Sequence, residues 1–211
     1  MEVFESGAAG PVGCWNHNVA YHRWIRRAVP RGARDLLDVG CGDGRLARAL
    51  CGPGRRVLGL ERDAGMLAQA RKLGAGIAGL EFSGEDFAAC EPAPASFDFV
   101  CFVASLHHMD QAAALGRART LLRPGGRLVV VGLAGASDRR EEVVSALIAP
   151  FAWFGSLRPE HVGTPEGMPV LDPESGWGET RALARRELPG VRYRRRLYFR
   201  YSLRWTKPAG G

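Results

Sequence analysis

The sequence predicts a doubly wound α/β fold with a largely parallel sheet, and two observations predict it. Short apolar runs alternate with helical segments and are joined by short loops. The runs are also continuously apolar rather than alternating, as strands are when helices cover both faces of a sheet. These runs span residues 36–39, 57–60, 97–104 and 128–131, with a weaker one at Leu80 and Phe82.

Helices are expected between the strands, with recognisable starts and ends. Pro30 and Gly32 end the first of them. Asp63 and Asp110 can each cap a helix, because an aspartate carboxylate accepts hydrogen bonds from the unpaired amides of a first helical turn. The expected helices span residues 15–29, 45–50, 63–73, 110–122 and 138–154. A turn is expected at Pro124-Gly125-Gly126.

The C-terminal segment has a period of two. In residues 191–205 the odd positions are apolar, with Arg195 as the exception, and five of the even positions are arginines. This pattern predicts two strands with one apolar and one basic face, although no turn residue locates the corner between them. The basic face is typical of a solvated strand surface, and it could instead attract an acidic substrate or RNA. Its arginines are Arg192, Arg194, Arg196, Arg200 and Arg204.

Composition narrows the class of protein. The chain has 211 residues, of which 46% are hydrophobic and 24% charged, a balance that excludes a wholly disordered protein. No apolar run approaches the roughly 20 residues that span a bilayer, and the first residues do not resemble a secretory signal. The net charge of +7 is carried mostly by arginine, and the five cysteines form no CxxC pair. We expect a single cytoplasmic domain with reduced thiols and no metal site.

The clearest chemical signal lies in residues 36–44, Leu-Leu-Asp-Val-Gly-Cys-Gly-Asp-Gly. A strand ends there in a glycine turn that opens a helix, so a ligand could approach the backbone closely and meet helix amides, although such turns also occur without a ligand. The second strand ends in Glu61, whose carboxylate is placed to accept both hydroxyls of a ribose. Glycines at 40, 42 and 44 followed by Arg45 do not match the Gly-x-Gly-x-x-Gly spacing of a dinucleotide site.

Together with later motifs, this turn resembles the class I S-adenosylmethionine-dependent methyltransferases over residues 15–133. The later motifs are Glu61, Asp86-Phe87, Phe97-Asp98-Phe99-Val100 leading to Leu106-His107-His108-Met109, and Leu122-Arg123-Pro124-Gly125-Gly126-Arg127-Leu128. The resemblance implies a mostly parallel seven-stranded sheet with an antiparallel C-terminal strand and helices on both faces. It divides the domain into an N-terminal helical lid (1–32), a cofactor-binding core (33–136), helices and an acceptor-side excursion (137–190) and C-terminal strands (191–207).

The resemblance also implies S-adenosylmethionine as cofactor and assigns its contacts. The backbone of Gly40, Cys41 and Gly42 would lie against the methionine part, and Asp38 would act near its ammonium group. Glu61 would hold the ribose hydroxyls. The segment from Val103 to Ser105, with Ala104 at its centre, would pass near the methionine end, and Tyr21 could touch the methionine carboxylate.

Three further residues are implied at the adenine. Arg62 would flank the ring. Asp86, or alternatively Glu85, would accept a hydrogen bond from the adenine amino group. The amide of Phe87 would face a ring nitrogen.

The acceptor side is expected to involve histidines. His108, and less readily His107, could take a proton from an acceptor hydroxyl near neutral pH, since both follow the fourth strand at the ligand-binding edge of such a sheet. Either one could instead be a packing or capping residue. The first helix could lie over the cofactor as a lid or simply pack on the sheet. Candidate acceptor contacts are His17, His22, Trp153 and His161.

We therefore predict a methyltransferase that acts on oxygen or nitrogen of a small molecule by in-line displacement. A place in specialised metabolism follows from family analogy alone. One alternative is an RNA methyltransferase, which the charge favours. Another is a non-methylating protein that retains the cofactor site. The sequence does not indicate the oligomeric state.

Overall fold

A computed structural model describes residues 19–133, 176–196 and 200–210. Its strands are β1 (Asp35–Val39), β2 (Arg56–Leu60), β3 (Leu80–Ser83), β4 (Phe97–Val103), β5 (Leu122–Leu133), β6 (Arg192–Arg196) and β7 (Arg200–Thr206). They form one seven-stranded sheet in the order β3-β2-β1-β4-β5-β7-β6. β1 to β5 pair in parallel, whereas β7 pairs antiparallel with both β5 and β6. The predicted fold class is confirmed.

Five described helices and one 3₁₀ turn connect the strands. They are α1 (Val19–Ala28), α2 (Arg45–Leu50), α3 (Ala64–Gly74), the 3₁₀ turn Leu106–His108, α4 (Gln111–Leu121) and α5 (Trp177–Glu187). Both predicted caps are confirmed. The Asp63 carboxylate accepts from the Met66 amide at 2.8 Å, and the Asp110 carboxylate accepts from the Ala113 amide at 3.0 Å. These bonds satisfy amides that a helix leaves unpaired at its start.

The strand order reverses beside β1. The chain builds β1, β2 and β3 outward in one direction and then returns to place β4 on the other side of β1. In a doubly wound sheet, this reversal opens a crevice at the carboxyl ends of the two central strands. Val39 and Phe102 are paired neighbours close to that edge.

Two clusters of buried apolar side chains flank the sheet. One contains Phe102 and Leu128 from the sheet together with Leu115 of α4 and Trp177 of α5. The other contains Ile25 of α1 with residues of α2 and the opposite side chains of β4 and β5. Burying a leucine or phenylalanine of this size contributes about 1.5–3 kcal/mol, so these layers are the main source of cohesion.

β5 is longer than the sequence predicts. Phe97 of β4 pairs with Leu122, yet Phe99 pairs with Arg127, so the intervening segment bulges from the ladder. The expected turn at Pro124-Gly125-Gly126 is therefore a bulge inside β5, and Gly125 takes a positive φ of 78° there. Pairing with β4 on both sides of the bulge extends the strand beyond its apolar run.

The C-terminal segment forms two strands, as predicted. Tyr201 and Leu203 are buried in the sheet's core. The basic face differs from the solvated surface that the sequence suggested, because Arg200 and Arg204 are half-buried. The Arg196 guanidinium lies 5.3 Å from the ring centre of Trp24 on α1. Helix α1 thus packs against part of this face.

Some predictions concern residues outside the described ranges. They include the start of the first helix, the helix at 138–154 and the excursion up to residue 175, and residues 197–199 between the last two strands also lie outside those ranges. Among the described helices, none has the length and apolar character needed to cross a membrane. Four cysteines fall within the described chain, and each is a free thiol.

Candidate active site

The candidate site lies at the carboxyl edge of the sheet, where the loops after β1, β2 and β4 meet. The amides of Gly40 and Cys41 both donate to the carbonyl of Leu60, at 2.8 and 2.9 Å. The Ser105 hydroxyl donates to the Val39 carbonyl at 2.5 Å. These bonds fix the glycine turn to the ends of its two neighbouring strands.

The glycine turn adopts a backbone that other residues rarely take. Gly40, Gly42 and Gly44 have φ values of 69°, 56° and 72°. At Gly40 a side chain is also excluded by space, because a Cβ there would lie 2.4 Å from the Cβ of Ser105. Part of the glycine requirement is therefore internal, since it allows β1 and the loop after β4 to approach each other closely.

Glu61 connects the turn to the end of β2. Its Oε2 accepts from the Gly42 amide at 2.8 Å, and its Oε1 accepts from the Asp63 amide at 2.9 Å. Each carboxylate oxygen has more than one lone pair, so both can accept a further hydrogen bond. The carboxylate is thus held in one orientation with accepting capacity remaining.

Asp38 lies buried beneath the glycine turn. Its side chain is 1% exposed, and its Oδ1 accepts from the Cys101 thiol at 3.4 Å. Its Oδ2 is buried with no hydrogen-bond partner in the described structure. Burial raises the pKa of Asp38 to about 7, and the nearby Glu61 charge adds to the increase against the opposing effect of Cys101. Such a carboxylate favours a neighbouring cation or hydrogen-bond donor.

The residues predicted to surround adenine form an ion pair. Arg62 Nη1 donates to Asp86 Oδ2 at 2.7 Å, and the Ala88 amide donates to Asp86 Oδ1 at 2.8 Å. The hydrogen bond from Arg62 is the main reason that the pKa of Asp86 lies below its usual value. Phe87 is buried with its ring edge-on to Phe102, whereas Glu85 is exposed.

The two adjacent histidines occupy the 3₁₀ turn after β4. Their ring centres are 3.9 Å apart, with His107 half-buried and His108 exposed. Burial, with the charges of His108 and Arg200, lowers the pKa of His107 to about 4. Its Nδ1 is buried and lacks a hydrogen-bond partner within the described ranges. Ala104, just before this turn, has a positive φ of 53°, an uncommon conformation for alanine.

The N-terminal end of α1 lies beside the glycine turn. Burial, followed by the charge of Arg45, lowers the pKa of His22 to about 4, while the Asp43 charge acts in the opposite direction. Tyr21 is half-buried and packs against the core layer on that face. Of the other predicted acceptor contacts, His17, Trp153 and His161 lie outside the described residues.

The structure gives two residues at this edge contacts that the sequence did not predict. Ser105 was expected only as part of the segment near the methionine end, whereas the structure packs it against Gly40 and bonds its hydroxyl to the Val39 carbonyl. Arg200 is half-buried near Tyr21 and His107. The alternating pattern in the sequence does not distinguish it from the other four arginines. Pairing with the end of β5 places it there.

Known methyltransferases resemble this chain in sequence. A family model described as a methyltransferase domain matches residues 37–130. An uncharacterised methyltransferase of Mycobacterium tuberculosis is 34% identical over 197 residues, covering 92% of this chain and 98% of that protein. A ubiquinone biosynthesis O-methyltransferase of Thiobacillus denitrificans is 35% identical over 109 residues, covering 49% of this chain and 46% of that protein.

A solved structure shows the same fold. The 1,6-didemethyltoxoflavin-N1-methyltransferase of Burkholderia thailandensis superposes with a TM-score of 0.61 at 18% identity, covering 90% of this chain and 78% of that one. At that identity the likeness concerns the fold alone. The near full-length likeness to the mycobacterial protein, with the matched methyltransferase domain, shows that this chain belongs to the class I S-adenosylmethionine-dependent methyltransferases.

Proposed function

We propose that the chain binds S-adenosylmethionine at the carboxyl edge of the sheet and methylates an oxygen or nitrogen of a small molecule by in-line displacement. The observation that carries this proposal is the Glu61 carboxylate, held between the amides of Gly42 and Asp63 above the buried Asp38. This arrangement combines an acceptor for two hydroxyls with a buried carboxyl group beneath a turn that has no side chains at 40 and 42.

The residues present fit the cofactor. Asp38 offers a buried oxygen without a partner in the described chain, suited to the methionine ammonium group directly or through water. Glu61 keeps accepting capacity for the ribose hydroxyls on both oxygens. When bound, the cofactor supplies a methyl group on a positively charged sulfur, which needs no acid to leave. The chain's task is to align the acceptor and exclude water.

On the adenine side, the hydrogen bonds favour Asp86 over Glu85. Asp86 is held by Arg62 and by the Ala88 amide, so its position is defined, whereas Glu85 is exposed. Arg62 is the cation beside that position. The buried Phe87 ring anchors this loop to β4 through its contact with Phe102.

On the acceptor side, we assign proton acceptance to His108. The low pKa of His107 keeps its ring neutral at pH 7 and makes it a poor base, so it suits orienting the acceptor or its neighbour. Tyr21 and His22 of α1 would close the site above the glycine turn. His17, Trp153 and His161 remain candidate acceptor contacts on the basis of sequence.

A small acceptor agrees with the packing of the basic face better than RNA does. Arg196 lies against Trp24, and Arg200 and Arg204 are half-buried. Only Arg192 and Arg194 of the five alternating arginines are exposed. Sequence-independent RNA binding requires several accessible cations along one track.

Binding of S-adenosylhomocysteine, measured by calorimetry with NAD as a control, tests the proposal. We expect micromolar affinity for the first and no binding of the second. Glu61→Gln should weaken binding at least tenfold, because one charged acceptor is lost. Glu81→Gln is the matched control, since Glu81 is exposed on β3. Absence of binding, or equal affinity of the two variants, would reject this placement of the cofactor.

His108→Ala tests the acceptor side. Once a screen with labelled methyl groups has identified an acceptor, we expect turnover to fall about hundredfold, with unchanged affinity for S-adenosylhomocysteine. A variant that keeps its turnover across the pH range would show that His108 is not the base.

A further inference from the structure

Arg200 has a position on the sheet that brings it to the candidate site. It begins β7 and pairs with Leu133, the last residue of β5. β5 runs parallel to β1 and β4, so its end lies at the same edge as the glycine turn. The Ala104 amide donates to the Val131 carbonyl at 2.8 Å, which fixes the loop leading to His107 beside the end of β5.

The environment of Arg200 withdraws it partly from water. Alternate residues Tyr201 and Leu203 are buried in the cluster that includes α4 and α5. Arg200 therefore lies on the opposite face, where Tyr21 of α1 packs. Burial lowers the pKa of Arg200, and Tyr21 is close enough to oppose that change. The positive charge of Arg200 is in turn one of the causes that lower the pKa of His107.

A second positive charge lies opposite. Arg196 of β6 is the cross-strand partner of Arg200. Like charges in such a pair repel each other, and an anion beside them relieves the repulsion. Arg196 is itself engaged, since its Nε donates to the Ser202 hydroxyl at 2.8 Å and its guanidinium lies against Trp24. Arg196 therefore adds positive charge beside Arg200, while these two contacts hold its side chain in place.

We propose that Arg200 is a specificity residue that binds an anionic group, a carboxylate or a phosphate, on the methyl acceptor. A guanidinium can donate two parallel hydrogen bonds to such a group, which defines orientation as well as affinity. The acceptor would then lie between Arg200 and the histidine turn. This inference rests on the proposed function, because it assigns the acceptor's chemistry at the same edge.

The test uses inorganic phosphate as a probe and the full chain saturated with S-adenosylhomocysteine. Arginine Nε–H signals are followed by NMR during a phosphate titration at constant ionic strength, and Arg200→Met identifies the signal of Arg200. We expect that signal to shift saturably, with a dissociation constant in the millimolar range. Arg204 is the internal control, since it lies on the same face and is also half-buried, but pairs with Val129 away from the edge. Its signal should shift weakly and without saturation.

The outcomes separate the two proposals. Saturable binding at Arg200 supports the anion site, and an Arg200 signal that does not move, or moves as Arg204 does, overturns it. Calorimetry on the same samples reports S-adenosylhomocysteine binding. If that binding is present and the phosphate shift absent, the anion site fails while the cofactor proposal stands. If S-adenosylhomocysteine fails to bind and the phosphate shift is seen without it, Arg200 binds an anion, but the cofactor proposal fails and the assignment of that anion to a methyl acceptor fails with it. Arg200→Lys replaces Arg200→Met if the latter does not fold.

Discussion

The two edges of the sheet differ in whether their ionisable side chains have hydrogen-bond partners. At the amino edge, Asp98 accepts from the amides of Arg34 and Asp35 at 2.7 and 2.9 Å and from Arg123 at 2.9 Å. Arg123 also donates to Asp35, which Arg56 contacts in turn. At the carboxyl edge, Asp38 and His107 each keep a buried polar atom without a partner in the described chain.

The pKa values follow the same division. The hydrogen bond from Arg56 is the largest cause that lowers the pKa of Asp35. Burial would raise the pKa of Asp98, but its bonds to backbone amides and Arg123 outweigh it and the pKa is lowered. Asp38 lies only three residues after Asp35 on the same strand, yet its pKa is raised to about 7. The carboxylates Asp35 and Asp98 of the amino edge are satisfied within the chain, whereas Asp38 at the carboxyl edge retains capacity for a ligand.

Two glycines with positive φ provide the largest expected contrast. Gly42 (φ 56°) lies at the carboxyl edge and Gly125 (φ 78°) in the β5 bulge at the amino edge. Valine at either position should destabilise the fold by about 1–2 kcal/mol, because its Cβ strains a left-handed backbone. Only Gly42→Val should also lower S-adenosylhomocysteine affinity, by about a hundredfold or roughly 3 kcal/mol. Calorimetry on both folded variants measures this, and equal affinities would remove the distinction between the edges.

Asp98→Ala, at the amino edge, should lower the stability of the fold without lowering the affinity for S-adenosylhomocysteine. The substitution leaves the amides of Arg34 and Asp35 and the Arg123 guanidinium without their shared acceptor. We expect the free energy of unfolding to fall by about 2 kcal/mol, while the affinity of the folded protein for S-adenosylhomocysteine changes less than about twofold. Urea unfolding and calorimetry measure the two quantities. A large loss of affinity would show that the amino edge is coupled to the site.

Asp38→Asn should change how stability depends on pH. Between about pH 4 and 7 the folded protein keeps a proton on Asp38 that the unfolded chain has lost, so this group destabilises the fold increasingly as the pH rises. The variant lacks the carboxylate, and its stability relative to the normal protein should rise across that window by about 3 kcal/mol. Urea unfolding at pH 4.5 and 7.5 gives the difference.

Asp98→Asn is the control of opposite sign. The pKa of Asp98 is lowered, so its stabilising contribution is present above the unfolded value and is lost as the pH falls through the folded pKa. The two variants should therefore diverge from the normal protein in different pH ranges. Identical pH profiles for Asp38→Asn and the normal protein would contradict the raised pKa.

Local patterns in the sequence were sufficient for much of this fold. Apolar runs and aspartate caps depend on residues close in the chain, which is why Asp63 and Asp110 were predicted correctly. The β5 bulge was missed because pairing with β4 determines it. Within the site, a motif predicted Glu61, but the close approach of Gly40 to Ser105 depends on residues far apart in the chain. The alternation of apolar residues and arginines near the C-terminus likewise could not show that α1 packs against part of the arginine face.

The smallest effect concerns the periphery of the amino-edge network. The Arg56 side chain is 77% exposed and contacts one carboxylate, whereas Arg123 is 37% exposed and bridges two. Exposed ion pairs contribute little, because water and salt screen them and ordering two long side chains costs entropy. Arg123→Gln should lower the free energy of unfolding by about 1 kcal/mol, and Arg56→Gln should leave it unchanged within error at physiological salt. Urea unfolding at low and high salt measures both. Equal losses of unfolding free energy in the two variants would contradict this expectation. They would mean that the exposed Arg56 stabilises Asp35 as much as Arg123 does.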